Sequence, residues 1–164
     1  MELEFPYQVT TFLTREPQTN EPVFYGSNGW YSQVTLKRRF KLDDITEDKF
    51  IHDLRDFFAS NDLPIIQTDD LVKPERLPVH VINVTNQKEM KSLHMKFIEK
   101  FRDKIVSRYP ERDGDNYYAH ITVEYNDEFV LPVDDYTHKE FSASNIWLLK
   151  DVASEDSLAY VKIR

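Results

Sequence analysis

The sequence predicts a two-lobed α+β protein, and three observations carry that expectation. Runs rich in β-branched and aromatic residues, several alternating in polarity, recur along the chain as strands do. Two segments, 43–61 and 86–109, instead repeat apolar residues at helical spacing. The order of these segments reads as a strand–helix–strand pattern run twice, and two such halves can pack with their sheets facing a common cleft. A chain of 164 residues forms a single domain with room for a real core.

Tyr7 to Thr14 reads as the first strand, followed by a turn-rich stretch to about Glu21. Val23 to Tyr25 reads as a short strand before a Gly26–Gly29 turn. The long strand Trp30 to Leu42 comes next. Strict alternation puts Val34, Leu36 and Arg38 on one face and Tyr31, Gln33, Thr35, Lys37 and Arg39 on the other. In the helix Asp43–Asn61, Thr46 is the expected N-cap, with Glu47 and Asp48 placed to favour the dipole. Phe50, Ile51, Leu54, Phe57 and Phe58 form its apolar stripe. Strands are expected at Ile65–Val72 and Pro78–Thr85.

Asn86 to Glu89 has the pattern of a capping box opening a second helix, which is expected to run to about Tyr109. Its stripe is Met90, Leu93, His94, Phe97, Ile98, Phe101 and Ile105. After a polar break comes the strand Tyr117–Tyr125, with Tyr118, His120, Thr122 and Glu124 on one face. Asn145–Val152 and Leu158–Ile163 close the chain as strands.

Composition excludes several chemistries. There is no cysteine, hence no disulfide, thiolate site or cysteine nucleophile. The three glycines make no phosphate-binding loop, which argues against P-loop and dinucleotide-binding sites, and no Ser nucleophile elbow is present. No signal-peptide pattern or membrane-length apolar run is visible, so a cytoplasmic protein is expected. A net charge of −8 disfavours gripping long nucleic acid, which needs a basic face, but not a small nucleotide held locally. Asp69-Asp70 and Asp134-Asp135 read as turn or surface acids, and no cluster has metal-ligand spacing. No cofactor is expected.

His120-Ile121-Thr122 is the most informative tripeptide. On a strand its imidazole and hydroxyl share one face, and the hydroxyl can hydrogen-bond a phosphate oxygen. With the preceding helix and two closing strands, this segment resembles the second half of the two-histidine (2H) phosphoesterases, the group of the bacterial 2′-5′ RNA ligase-like proteins. The resemblance implies two antiparallel sheets about a central cleft and one His-x-Thr/Ser motif in each half. It also implies metal-free chemistry on cyclic phosphodiesters, RNA ends and nucleotides. One histidine serves as base, the other as acid, and the two hydroxyls hold the phosphate.

At the place of the first motif stands Gln33-Val34-Thr35, with a glutamine where the family has histidine. Glutamine has no proton to exchange near pH 7. Three accounts remain open: another histidine fills the gap, one catalytic group suffices, or the cleft binds a nucleotide without cutting it. His80 is the alternative histidine, on a strand that can border the cleft. The resemblance thus implies catalytic roles for His120, Thr122, Thr35 and Gln33. Tyr31, Lys37, Arg39, Tyr118 and His80 are candidates for contacting substrate, by stacking or by meeting phosphate. His94 reads as core, and His52 and His138 as surface or loop. Trp30, Trp147 and Tyr160 read as packing, with lining the cleft as the alternative.

The expected ligand is a small nucleotide or RNA end, bound by a monomer with no membrane partner. The leading expectation is an enzyme; the alternatives are a nucleotide-sequestering protein on the same fold and a protein–protein interaction domain.

Overall fold

The computed structural model describes residues 4–23, 29–151 and 157–164. It is an α+β structure with two helices and antiparallel sheets. The first strands are β1 (Tyr7–Phe12) and β2 (Gln33–Leu42). Helix α1 (Glu47–Ser60) leads to β3 (Ile66–Val72) and β4 (Val81–Val84). Helix α2 (Gln87–Phe101) leads to β5 (Ile105–Ser107) and β6 (His120–Thr122). A small hairpin, β7 (Glu124–Tyr125) and β8 (Glu128–Phe129), precedes β9 (Glu140–Phe141), β10 (Trp147–Asp151) and β11 (Ser157–Lys162).

One sheet has the order β11-β10-β1-β2-β5 and the other β6-β4-β3-β9, while β7 and β8 pair with each other. The duplicated pattern does not map onto two contiguous lobes. Chain 7–42 begins the first sheet, α1 carries it into the second, α2 returns it to β5, and β10–β11 complete the first sheet at the end.

Helix α1 begins where the sequence places it, because Thr46 Oγ1 accepts the Lys49 backbone N–H at 3.2 Å. Its buried face is Phe50, Ile51, Leu54, Phe57 and Phe58. The second helix differs from expectation at both ends. Asn86 makes no side-chain cap; its amide instead joins β3, accepting from Gln67 N at 3.0 Å and donating to the Ile65 carbonyl at 2.6 Å. The helix stops at Phe101, and Ile105–Ser107 becomes an edge strand on Phe40–Leu42 of β2. Ile105 fits either a helical stripe or a strand. The open edge of β2 decides, since its backbone groups need partners.

The helices and both sheets share one core. Val34, Leu36 and Phe40 of β2, Ile82 and Val84 of β4 and Ile121 of β6 join the two helical stripes there. Phe40, Phe50 and Phe101 meet edge to face, with centroids 5.6 and 5.2 Å apart. Because side chains alternate along a strand, residues flanking these core positions on β2 and β6 point away from it. A smaller cluster of Phe12, Val23, Tyr31, Trp147, Leu149 and Ala159 packs beside β1 and β10. The expected Val23–Tyr25 strand and the Gly26–Gly29 turn lie mostly outside the described residues, as does Val152. Among the described residues no helix is long and apolar enough to cross a membrane.

Candidate functional site

Where β2 and β6 face each other, the sheets enclose a cleft of about 840 Å³. Gln33 and Thr35 line it from β2, and His120 and Thr122 from β6. Tyr118, Glu124, Tyr125, Trp30, Arg38, Arg39, Arg76 and Arg112 complete its polar and aromatic walls.

Alternation along β2 is broken twice. Thr10 pairs with Thr35, Val9 with Lys37 and Tyr7 with Phe40, so β2 advances one residue too many at each of two steps. These are bulges, which re-aim side chains. Their effect corrects the expected faces: Arg38 joins Arg39 on the cleft, and Lys37 leaves it. Lys37 is 1% exposed and bonds both carboxylate oxygens of Asp113, at 2.9 and 3.1 Å. Burial holds its ammonium below the usual lysine range, an effect the Asp113 partner opposes.

Other side chains receive the backbone groups around the first bulge. Tyr117 donates its hydroxyl proton to the Thr35 carbonyl at 2.9 Å. The Gly114 N–H donates to His94 Nε2 at 3.0 Å, so the proton sits on Nδ1, which donates to the Leu36 carbonyl at 2.9 Å. Gly114 has a φ of +65°, which a glycine adopts without cost. His94 stacks on Tyr117 at 4.2 Å. It lies on the buried face of α2 as expected, but as a neutral ring that anchors β2; burial pushes its pKa down.

This brace makes a stability prediction. Asp113→Ala leaves the Lys37 ammonium buried without its partner, and the loss of unfolding free energy should be about 3–5 kcal/mol. Lys37→Met should lose clearly less, because the buried charge is gone and the carboxylate left behind is 15% exposed and keeps its Ser107 partner. Urea midpoints at an unchanged slope measure both, and an Asp113→Ala loss below that of Lys37→Met contradicts the account.

His120 is held in one tautomer. Its Nδ1 donates to the Tyr118 carbonyl at 2.9 Å, which leaves Nε2 as an acceptor. Burial pushes its pKa down to about 4, the charges of Arg38 and Arg112 push the same way, and the Tyr118 bond opposes them. The residue as a whole is only partly buried, yet at pH 7 the ring is neutral. Tyr118 donates to Asn83 Oδ1 at 2.7 Å and packs edge-on to His120.

Gln33 is 9% exposed. Its Oε1 lies 2.8 Å from Thr10 Oγ1, whose proton is shared with the Val34 carbonyl at 2.9 Å. Its Nε2 is buried and has no partner among the described residues. A buried donor left unpaired costs about 1–3 kcal/mol.

Other expected residues lie elsewhere or are already paired. Tyr31 is buried in the smaller cluster and donates to Glu21 Oε1 at 2.5 Å; it is not part of the cleft lining. Arg39 reaches the cleft but is ion-paired with Asp151. His80 is not part of the cleft lining; its backbone N–H donates to Glu124 Oε1 at 2.9 Å and holds that carboxyl below its ordinary range, with Nδ1 3.3 Å from both Glu124 oxygens adding to the effect. His52 and His138 are exposed beside Asp56 and Asp70.

Arg112 was not among the residues expected from the sequence, while Trp30, expected as packing or as cleft lining, packs against the core and also lines the cleft. Its ring meets that of Tyr125 at 5.5 Å. Tyr125 is placed by the tight β7–β8 turn, in which Asn126 and Asp127 both have positive φ. The Asn-Asp pair was the available signal for that turn.

No family model matches the chain, and no curated protein matches it.

Proposed function

We propose that the chain is a metal-independent phosphoesterase of the 2H type, acting on a 2′,3′-cyclic phosphate, a 2′-5′ linkage or a cyclic (oligo)nucleotide. One observation carries the reading. A neutral histidine with a free Nε2 shares a cleft with two threonines, a buried unpaired amide and several guanidiniums. Such a set suits a phosphodiester: donors for its oxygens and one acceptor for a proton.

In this reading His120 Nε2 takes a proton from the attacking water or hydroxyl as it bonds to phosphorus. Thr35 and Thr122 hold the non-bridging oxygens. Gln33 Nε2 donates a hydrogen bond to the leaving oxygen but transfers no proton, so that oxygen is protonated from solvent. The Trp30–Tyr125 pair offers a face for a base.

Incubation in EDTA with 2′,3′-cyclic nucleotides, 2′-5′ oligoadenylates and cyclic di- and trinucleotides, read by mass spectrometry, tests the reading. Product from one class is expected. A ligand retained intact moves the conclusion to the second reading, a sequestering protein. The non-titrating Gln33, fixed by Thr10, favours that reading. Retention of none of them removes both.

A proton inventory adds a prediction. The base form of His120 is neutral and its pKa is depressed, so kcat/KM should be flat near neutrality and fall as pH drops through about 4. A bound phosphate offsets Arg38 and Arg112 and should raise that pKa. Histidine ring resonances followed by NMR, with and without inorganic phosphate, report both. A free-protein midpoint above the ordinary histidine value contradicts the assignment.

A further inference from the structure

The nucleotide reading above does not use the cationic end of the cleft. Arg38 and Arg112 line it, and their guanidinium carbons lie 5.9 and 5.2 Å from the Tyr109 ring centroid. Arg108 approaches the same ring at 5.3 Å. Of their neighbours on β2, Lys37 is neutralised by Asp113 and Arg39 by Asp151. Among the described residues Arg38, Arg108 and Arg112 have no carboxylate partner. In a chain of net charge −8, carboxylates are plentiful, so like charges gathered without one mark an anion site.

Placement separates this site from the one around His120 and Thr122. Arg38 is three residues beyond Thr35 on β2, and with the bulge between them this is about two ladder steps, roughly 7 Å. That reach exceeds a single phosphate group. The cleft volume of about 840 Å³ also stands near the upper end of small-ligand sites, roughly 300–1,000 Å³.

We propose that Arg38 and Arg112, stacked at Tyr109, form a second phosphate subsite, and that the ligand is a nucleotide carrying at least two phosphoryl groups. Guanidiniums suit this task because each presents a rigid fork of donors to phosphate oxygens, and the aromatic ring holds them without consuming that fork. The inference rests on the nucleotide reading but goes beyond it, since a cyclic mononucleotide leaves this end empty.

Titration calorimetry with stable ligands tests it: adenosine 2′-monophosphate against adenosine 2′,5′-bisphosphate, and the 3′-monophosphate against the 3′,5′-bisphosphate. At least one bisphosphate should bind about tenfold or more tighter than its monophosphate, from charge-assisted bonds to the added group. In Arg38→Gln and Arg112→Gln that ratio should collapse to within about twofold. The salt dependence of bisphosphate binding to the native protein should be steeper by about one per added contact, and each variant should lose that increment. No gain in either pair, or a gain retained by both variants, overturns the proposal while monophosphate binding leaves the nucleotide reading intact. Failure of every ligand to bind overturns both.

Discussion

His120→Ala should reduce turnover by about 10²–10⁴-fold, the usual worth of one positioned acid or base. The structure sharpens what that loss means. The Tyr118 carbonyl fixes the proton on Nδ1, so the variant removes an oriented acceptor rather than a mobile imidazole. His120→Gln is the informative companion, because it offers hydrogen bonds of similar reach but takes up no proton. Equal loss in both variants, with ligand affinity kept within a few-fold, assigns the effect to proton transfer. Undiminished product from either variant removes His120 from the chemistry.

Gln33→His should have the opposite sign. If only a second titrating group is missing, cleavage should rise by about 10²–10⁴-fold. The position is prepared for an imidazole: Thr10 Oγ1 already orients the side chain, Thr35 lines the cleft from the same strand, and His120 lines it from β6. A new alkaline limb, completing a bell in the pH–rate profile, should accompany the gain. A variant that folds, binds and cleaves no better than the native chain shows that the site is not a phosphoesterase lacking one histidine. The amide would then be serving ligand retention itself.

The strands and helices were legible because periodicity is local. Phe50 to Phe58 repeat at helical spacing, and Gln33, Thr35, His120 and Thr122 fall on the faces that alternation assigns them. The structure brings these four to one cleft. What alternation hides is its own interruption. Nothing in Leu36-Lys37-Arg38-Arg39 announces two bulges, since the deciding partners are the Val9 and Tyr7 registers, Tyr117 and His94. Lys37 and Arg38 therefore trade places between sequence expectation and structure. Ile105 misled for a related reason: its apolar side chain satisfies two periods, and only the free edge of β2 chooses. Arg112 stands in a polar break with no pattern at all. Its place follows from the neighbouring Asp113, which Lys37 pulls against the sheet.

The interleaved sheets also govern when the molecule is able to assemble. Strand β1 lies between β2 and β10, with Thr10 opposite Trp147. During synthesis its second edge waits for residues made near the other end of the chain. At about 5–20 residues per second that delay is on the order of ten seconds. Throughout it the nascent chain presents the unpaired edge of Tyr7–Phe12, an aromatic and β-branched ribbon of the kind that recruits other strands.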